Sequence, residues 1–160
     1  MRTFLIENRE KTDEIIKSCK VCYLAMSSNN MPYVLPMNFT LEADVVILHS
    51  AQSGRMWNII KENPKVCINW TLGDELAWQS ERVGCSYRMI SKSVIVEGTA
   101  EFVDEYDEKE RCLHLLMSQY SNLSFKFNEP AVNNVGIIKV HIDKTTAREF
   151  GAKATPKNPG

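Results

Sequence analysis

The stretch VVILHSAQSGRMWNIIKENP (45–64) gathers the side chains best suited to chemistry. A strand-like run ends at His49 and Ser50, a short link through Ala51 and Gln52 follows, and Ser53-Gly54-Arg55 opens a helical pattern. Hydroxyls at Ser50 and Ser53, backbone N–H groups around Gly54 and the Arg55 cation would meet where a helix presents unpaired donors and the positive end of its dipole. That arrangement suits a phosphate-sized anion. The same spacing also suits a plain helix start, with Ser53 as cap and Arg55 as a solvated charge, and local sequence leaves both readings open.

His49 differs from the other two histidines. It closes a strand directly before the anion loop, where an imidazole can donate to a phosphate, orient a ligand or act as an acid. His114 falls on a helix beside charged residues and His141 alternates with Val140 and Ile142, patterns of surface or structural residues. Pro36 lies inside the strand-like run 32–41, where it cannot donate a ladder hydrogen bond; it marks an edge, a bulge or a place where something other than a strand lies alongside. Cys19 and Cys22 form a C-x-x-C pair, yet no second pair or close histidines complete four ligands, so buried thiols are expected and no metal site.

These residues need a scaffold. A short helix is expected over 12–20, with Thr12 as cap, then a hairpin of strands 21–27 and 32–41 around Ser28-Asn29-Asn30, and a third strand over 45–50. A helix over 53–63 capped by Ser53, a strand over 65–72, a loop over 73–84, and a long β-type run to 103 with a bulge at Gly98 follow. An amphipathic helix over 107–120, a loop over 121–134 and a last strand over 135–142 complete the order. Hairpins outnumber βαβ units, so the fold class is α+β, a split β-barrel or curled sheet of six to seven mainly antiparallel strands with about three helices. Several strands are apolar on both faces, and the outer face must be covered by helices or by a second copy of the chain; a homodimer is the simpler expectation.

With 160 residues, 44% of them hydrophobic, the chain has the size of one domain, taken as 1–151 with a flexible tail at 152–160. A formal net charge of -1 argues against a nucleic-acid partner. The three-residue apolar run at Phe4, Leu5 and Ile6 is too short for a signal core or a membrane span, so a cytoplasmic location is expected. Five cysteines, an odd number, suit free thiols better than a disulfide framework.

The blocks PYVLPMNFT, ILHSAQSGRMWNIIKENPKVCINW and CSYRMISKSVIVEGTAEFVDEYDEKERCLHLLMSQY resemble those of the nitroimidazole-resistance branch of the pyridoxamine 5'-phosphate oxidase-like flavin-binding split barrels. The resemblance implies that the backbone of Leu35, Pro36, Met37, Asn38 and Phe39 lies along a flavin ring. It implies that His49, Ser50, Gly54 and Arg55, with Ala51, Ser53 and Met56 in the same loop, hold the phosphate and ribityl end. Ser93 would approach the flavin of the partner subunit, so that a homodimer completes the site. FMN is the implied cofactor, with FAD possible. Met56 replaces a second basic residue common in relatives, and Thr145-Thr146-Ala147-Arg148 departs from their usual Thr-Gly-Lys ending.

The activity implied is flavin-dependent reduction of a small substrate, the nitro group of 5-nitroimidazole antibiotics being the leading case, with His49 as the catalytic donor. A non-catalytic flavin- or haem-binding module, with His49 or His141 as an axial ligand, is the alternative. A true pyridoxamine phosphate oxidase is disfavoured, because no basic and aromatic set near the C-terminus suits a pyridoxal phosphate substrate.

Overall fold

The computed structural model describes residues 3–151; the tail expected at 152–160 lies outside them. In chain order the elements are β1 (Thr3–Leu5), α1 (Arg9–Ser18), β2 (Cys22–Ser28), β3 (Met31–Met37), β4 (Phe39–Glu42), β5 (Val45–Ala51), α2 (Arg55–Glu62), β6 (Lys65–Ala77), β7 (Arg88–Val103), α3 (Tyr106–Tyr120), α4 (Glu129–Asn134) and β8 (Val135–Phe150). All strand pairs are antiparallel, in the order β3-β2-β6-β7-β8-β5-β4, with β1 added on β8.

The two ends of this order, β3 and β4, are consecutive in sequence and separated only by Asn38. One run of chain therefore leaves β2 and joins β5, which curls the sheet into a split barrel rather than a closed one. The sequence reads 32–41 as a single strand; the structure breaks it at Asn38 because its halves pair with different neighbours.

Local chemistry explains most elements. Asn8 caps α1 by accepting from Lys11 N–H at 2.8 Å, while Thr12, expected as the cap, is buried and donates its hydroxyl to Asn8 C=O at 3.1 Å. Asn29 and Asn30 take φ of 51° and 61°, the left-handed pair that a two-residue hairpin turn needs. The register of β7 on β8 shifts at Glu97/Gly98, the expected bulge. A Cβ on Gly98 would sit 2.4 Å from His141 C=O, so only glycine allows that approach.

Three further expectations are corrected. The segment after 72 is not all loop: β6 resumes beyond a register shift and pairs Glu75, Leu76 and Ala77 with Ile90, Met89 and Arg88, forming an exposed arm with little apolar alternation to signal it. The last strand runs to Phe150 rather than 142, since its polar second half pairs with β7 and β1. Within the expected loop 121–134 lies α4, capped by Asn128, which accepts from Ala131 N–H at 2.9 Å.

The barrel interior holds Leu24, Phe39, Ile68, Trp70, Val94 and Val96, all fully buried, each such side chain stabilising the fold by roughly 1.5–3 kcal/mol. A second cluster lies outside, where Cys112 and Leu116 of α3 pack on Ile47 and Ile137. This helix thus covers part of the apolar outer face. Arg111 fastens it with a two-pronged contact to Glu42 at 2.7 and 3.0 Å and a bond to Glu108 at 2.8 Å. Arg111 and Lys139 hold the Glu108 carboxyl down at about 2. No described helix is long and apolar enough to cross a membrane.

Candidate functional site

The split opens at Asn38. β4 pairs with β5 only from Phe39↔Leu48 to Glu42↔Val45, so His49, Ser50 and Ala51 have β8 on one side and no strand on the other. β3 has β2 on one side and ends the sheet. From a vertex at Asn38 and Phe39, two backbone edges diverge and leave donors and acceptors without a ladder partner. From Asn38 to Tyr33, five residues of β3 wall, the gap runs about 17 Å.

Tyr120 fixes the vertex. Its hydroxyl lies 2.9 Å from Phe39 N–H, 3.2 Å from Phe39 C=O and 3.0 Å from Lys20 C=O, tying the end of α3 to the point where β3 gives way to β4. Phe39, fully buried and edge-on to Trp70 at 5.3 Å, therefore has its backbone groups already engaged. Leu35 is half-buried, Met37 is buried opposite Cys22, and Pro36 and Asn38 are exposed. Pro36 stands on the sheet's end strand, where a missing N–H costs least.

The other wall is the link from β5 to α2. Gly54 rather than Ser53 is the N-cap of α2, at φ 112°, a conformation that favours glycine. No side chain caps this helix; Ser53 is exposed and makes no capping bond. The first-turn N–H groups of α2 are thus left to solvent or a ligand. Met56 is buried in the barrel core, so at its position only the backbone can face a ligand.

Ser50 is held from two directions. Trp57 indole N–H donates to its Oγ at 2.9 Å, and that hydroxyl donates to Ala51 C=O at 2.7 Å. Its proton is committed, so Ser50 shapes the loop more than it donates outward. Gln52 anchors the same exposed link, donating to Asn133 C=O and, at 3.0 Å, to Val135 C=O. Lys109, buried on α3, donates to that Asn133 carbonyl at 3.1 Å. Arg55 reaches back to β3, its guanidinium 4.3 Å from the centre of the Tyr33 ring.

His49 alternates with the inward Leu48 and shares the outward face with Ile47. Partial loss of solvation lowers its pKa below the ordinary imidazole value, which favours the neutral form. Ser93 is not brought to this cluster. It lies on β7, two strands from β5, opposite Thr71 and Arg148. Cys19 and Cys22 sit in the core, burial pushing the Cys22 thiol up to about 12, far from the reactivity of a redox pair. All five cysteines are free, and Cys85 is exposed.

Tyr33, Tyr120, Gln52 and Trp57 are the site-shaping residues that sequence reasoning passed over. Tyr120 and Gln52 act on carbonyls and amides 81 or more positions away, which no local spacing announces. An aromatic residue at the exposed end of a strand was the one available signal for Tyr33.

The sequence profile of the pyridoxamine 5'-phosphate oxidase family matches residues 8–149, nearly the whole chain. The chain belongs to that family. No curated protein sequence matches it significantly. Among solved structures, this family member is similar to a candidate 5-nitroimidazole antibiotic resistance protein from Bacteroides thetaiotaomicron, at 34% identity and a TM-score of 0.84 over 92% of this chain and 87% of that one. It also shares its fold with the FAD- and haem-binding protein of Mycobacterium smegmatis, at 16% identity and TM-score 0.81 over 96% and 76% of the two chains. A third is an FAD-binding protein from Mesorhizobium loti, at 18% identity and TM-score 0.67 over 93% and 99%. The last two likenesses concern the fold alone.

Proposed function

We propose that the gap between β3 and the β5–α2 link holds a flavin, FMN in the first instance, and that the protein uses it to reduce small oxidants of the nitroaromatic class. The observation that carries this reading is the uncapped start of α2, with Gly54 at φ 112° and Arg55 beside it, at the far end of an elongated gap whose other end offers strand edges. Such a gap suits a ligand with a flat hydrogen-bonding head, a spacer and a terminal anion. Similarity to the Bacteroides protein supports the substrate class, and the FAD-binding proteins of the same fold support a flavin.

Leu35, Pro36, Met37 and Asn38 would line the flat head, and Ala51, Ser53, Gly54, Arg55 and the Met56 backbone N–H the phosphate, with Ser50 keeping the loop in shape. When bound, the flavin supplies the electrons for reduction. A nitro group gathers negative charge as it is reduced, and the outward-facing His49 is the side chain assigned to donate to it. His141, the other axial candidate for a haem reading, is exposed and lies 2.8 Å from Glu101.

His49→Ala is expected to leave a folded, flavin-bound protein and to slow reoxidation of the bound flavin by a nitroimidazole about tenfold or more. Stopped-flow rates normalised to bound flavin decide the point. An unchanged normalised rate removes His49 from the chemistry.

The proposal includes a homodimer. On the outer face, Tyr23, Val34 and Ile95 are exposed by 49%, 59% and 40%, and no helix covers them as α3 covers Ile47 and Ile137. Ser93 precedes Ile95 on the same face of β7, so a second copy there would bring Ser93 toward the partner's flavin. Light scattering at micromolar concentration is expected to give the mass of a dimer; a flavin-loaded monomer contradicts the shared site.

A further inference from the structure

We infer that Tyr33 is a positioning residue that presents Arg55 to the anionic end of the ligand; the inference rests on the flavin reading above. Arg55 is exposed, and among the described residues its guanidinium has no hydrogen bond or ion pair, its contact being the Tyr33 ring at 4.3 Å. Two other arginines behave differently. Arg9 is held by Asp13 and Asp44, and Arg111 by Glu42 and Glu108.

The geometry gives Tyr33 its role. A guanidinium stacked on a ring uses its face and leaves its in-plane N–H donors pointing outward. A long side chain free in water would have to be ordered when it grips an anion, losing rotamer entropy; a ring contact orders it beforehand. Tyr33 is a firm platform, since it packs against the barrel core from the end of β3 and faces Met26 across the β2 ladder. It therefore spans the mouth of the gap together with Arg55, joining the two walls that Asn38 separates. Its ring, rather than its hydroxyl, does this.

The test compares FMN with riboflavin, which has the same ring system and no phosphate. Fluorescence titrations are run on the full chain, with melting curves as the fold control. Tyr33→Leu is expected to lose about two- to fivefold in FMN affinity, the scale of an exposed cation–π contact. Its riboflavin affinity is expected to stay unchanged. Tyr33→Phe is expected to match wild type for both, and Tyr33→Leu added to Arg55→Ala is expected to cost nothing further. Wild-type FMN affinity in Tyr33→Leu overturns the inference, as does an equal loss for FMN and riboflavin. Should Tyr33→Leu fold poorly, Tyr33→Val, a stronger strand former, carries the same comparison. Binding of neither flavin by the wild-type protein overturns the flavin reading itself, a result distinct from a variant that binds like wild type.

Discussion

Replacement of Arg55 by alanine is expected to weaken FMN binding by roughly 1.5–3 kcal/mol, about 10- to 150-fold, the scale of a charge-assisted hydrogen bond lost to a phosphate. Arg55 opens α2 with no acidic partner among the described residues, and its side chain takes no part in the core, so the fold should be indifferent to its loss. Riboflavin affinity should therefore hold while FMN affinity falls. The size of the effect follows from what remains: the bare N–H groups at Gly54, Arg55 and Met56 still attract an anion, but a helix start alone supplies only about 0.3–1 kcal/mol at an exposed position. Equal FMN affinity in Arg55→Ala, with an unchanged melting curve, would place the phosphate elsewhere.

A second large effect is expected at Gly136. A Cβ built there would lie 2.3 Å from Trp57 Cζ2, 3.1 Å from Cε2 and 3.2 Å from Ala51 C=O. The indole is also stacked on Phe102, with ring centres 3.9 Å apart and planes 11° from parallel, which restricts its movement. Gly136→Ala must then push Trp57 from its place or bend β8 away from β5, an overpacking strain of about 1–3 kcal/mol. At roughly 2–4 °C per kcal/mol for a domain of this size, the midpoint should fall by about 2–12 °C in a calorimetric scan. The same displacement breaks the Trp57–Ser50 hydrogen bond, so the loop that carries Gly54 loses an anchor and FMN affinity falls with stability. A midpoint equal to that of wild type would show that the indole can move freely.

Much of this architecture is legible in the sequence. The Ser28-Asn29-Asn30 turn, the bulge at Gly98, and the strand–loop–helix passage through His49 and Arg55 are set by local chemistry and were read from local sequence. The break at Asn38 was not: 32–41 is one β-type run by pattern, and only the competition of β2 and β5 for its two halves splits it. The site suffers the same limit. Ser53 has the residue type of an N-cap, yet the chain turns at Gly54, whose φ of 112° few other residues adopt, and the helix start is left open. Pairings such as Tyr120 with Phe39, Gln52 with Asn133 and Trp57 with Gly136 are made by the curling of the sheet and the packing of its helices, so they exist only after the tertiary fold does.

The absorption spectrum of the purified protein tests most directly whether the gap flanked by Asn38 and Arg55 holds a flavin. The spectrum is recorded first as isolated and then after incubation with FMN and desalting. Blue-region flavin bands that stay with the protein, and that fade in Arg55→Ala treated the same way, are the predicted result. A protein that emerges without flavin bands even after exposure to FMN, or one that shows an intense Soret band instead, contradicts the account.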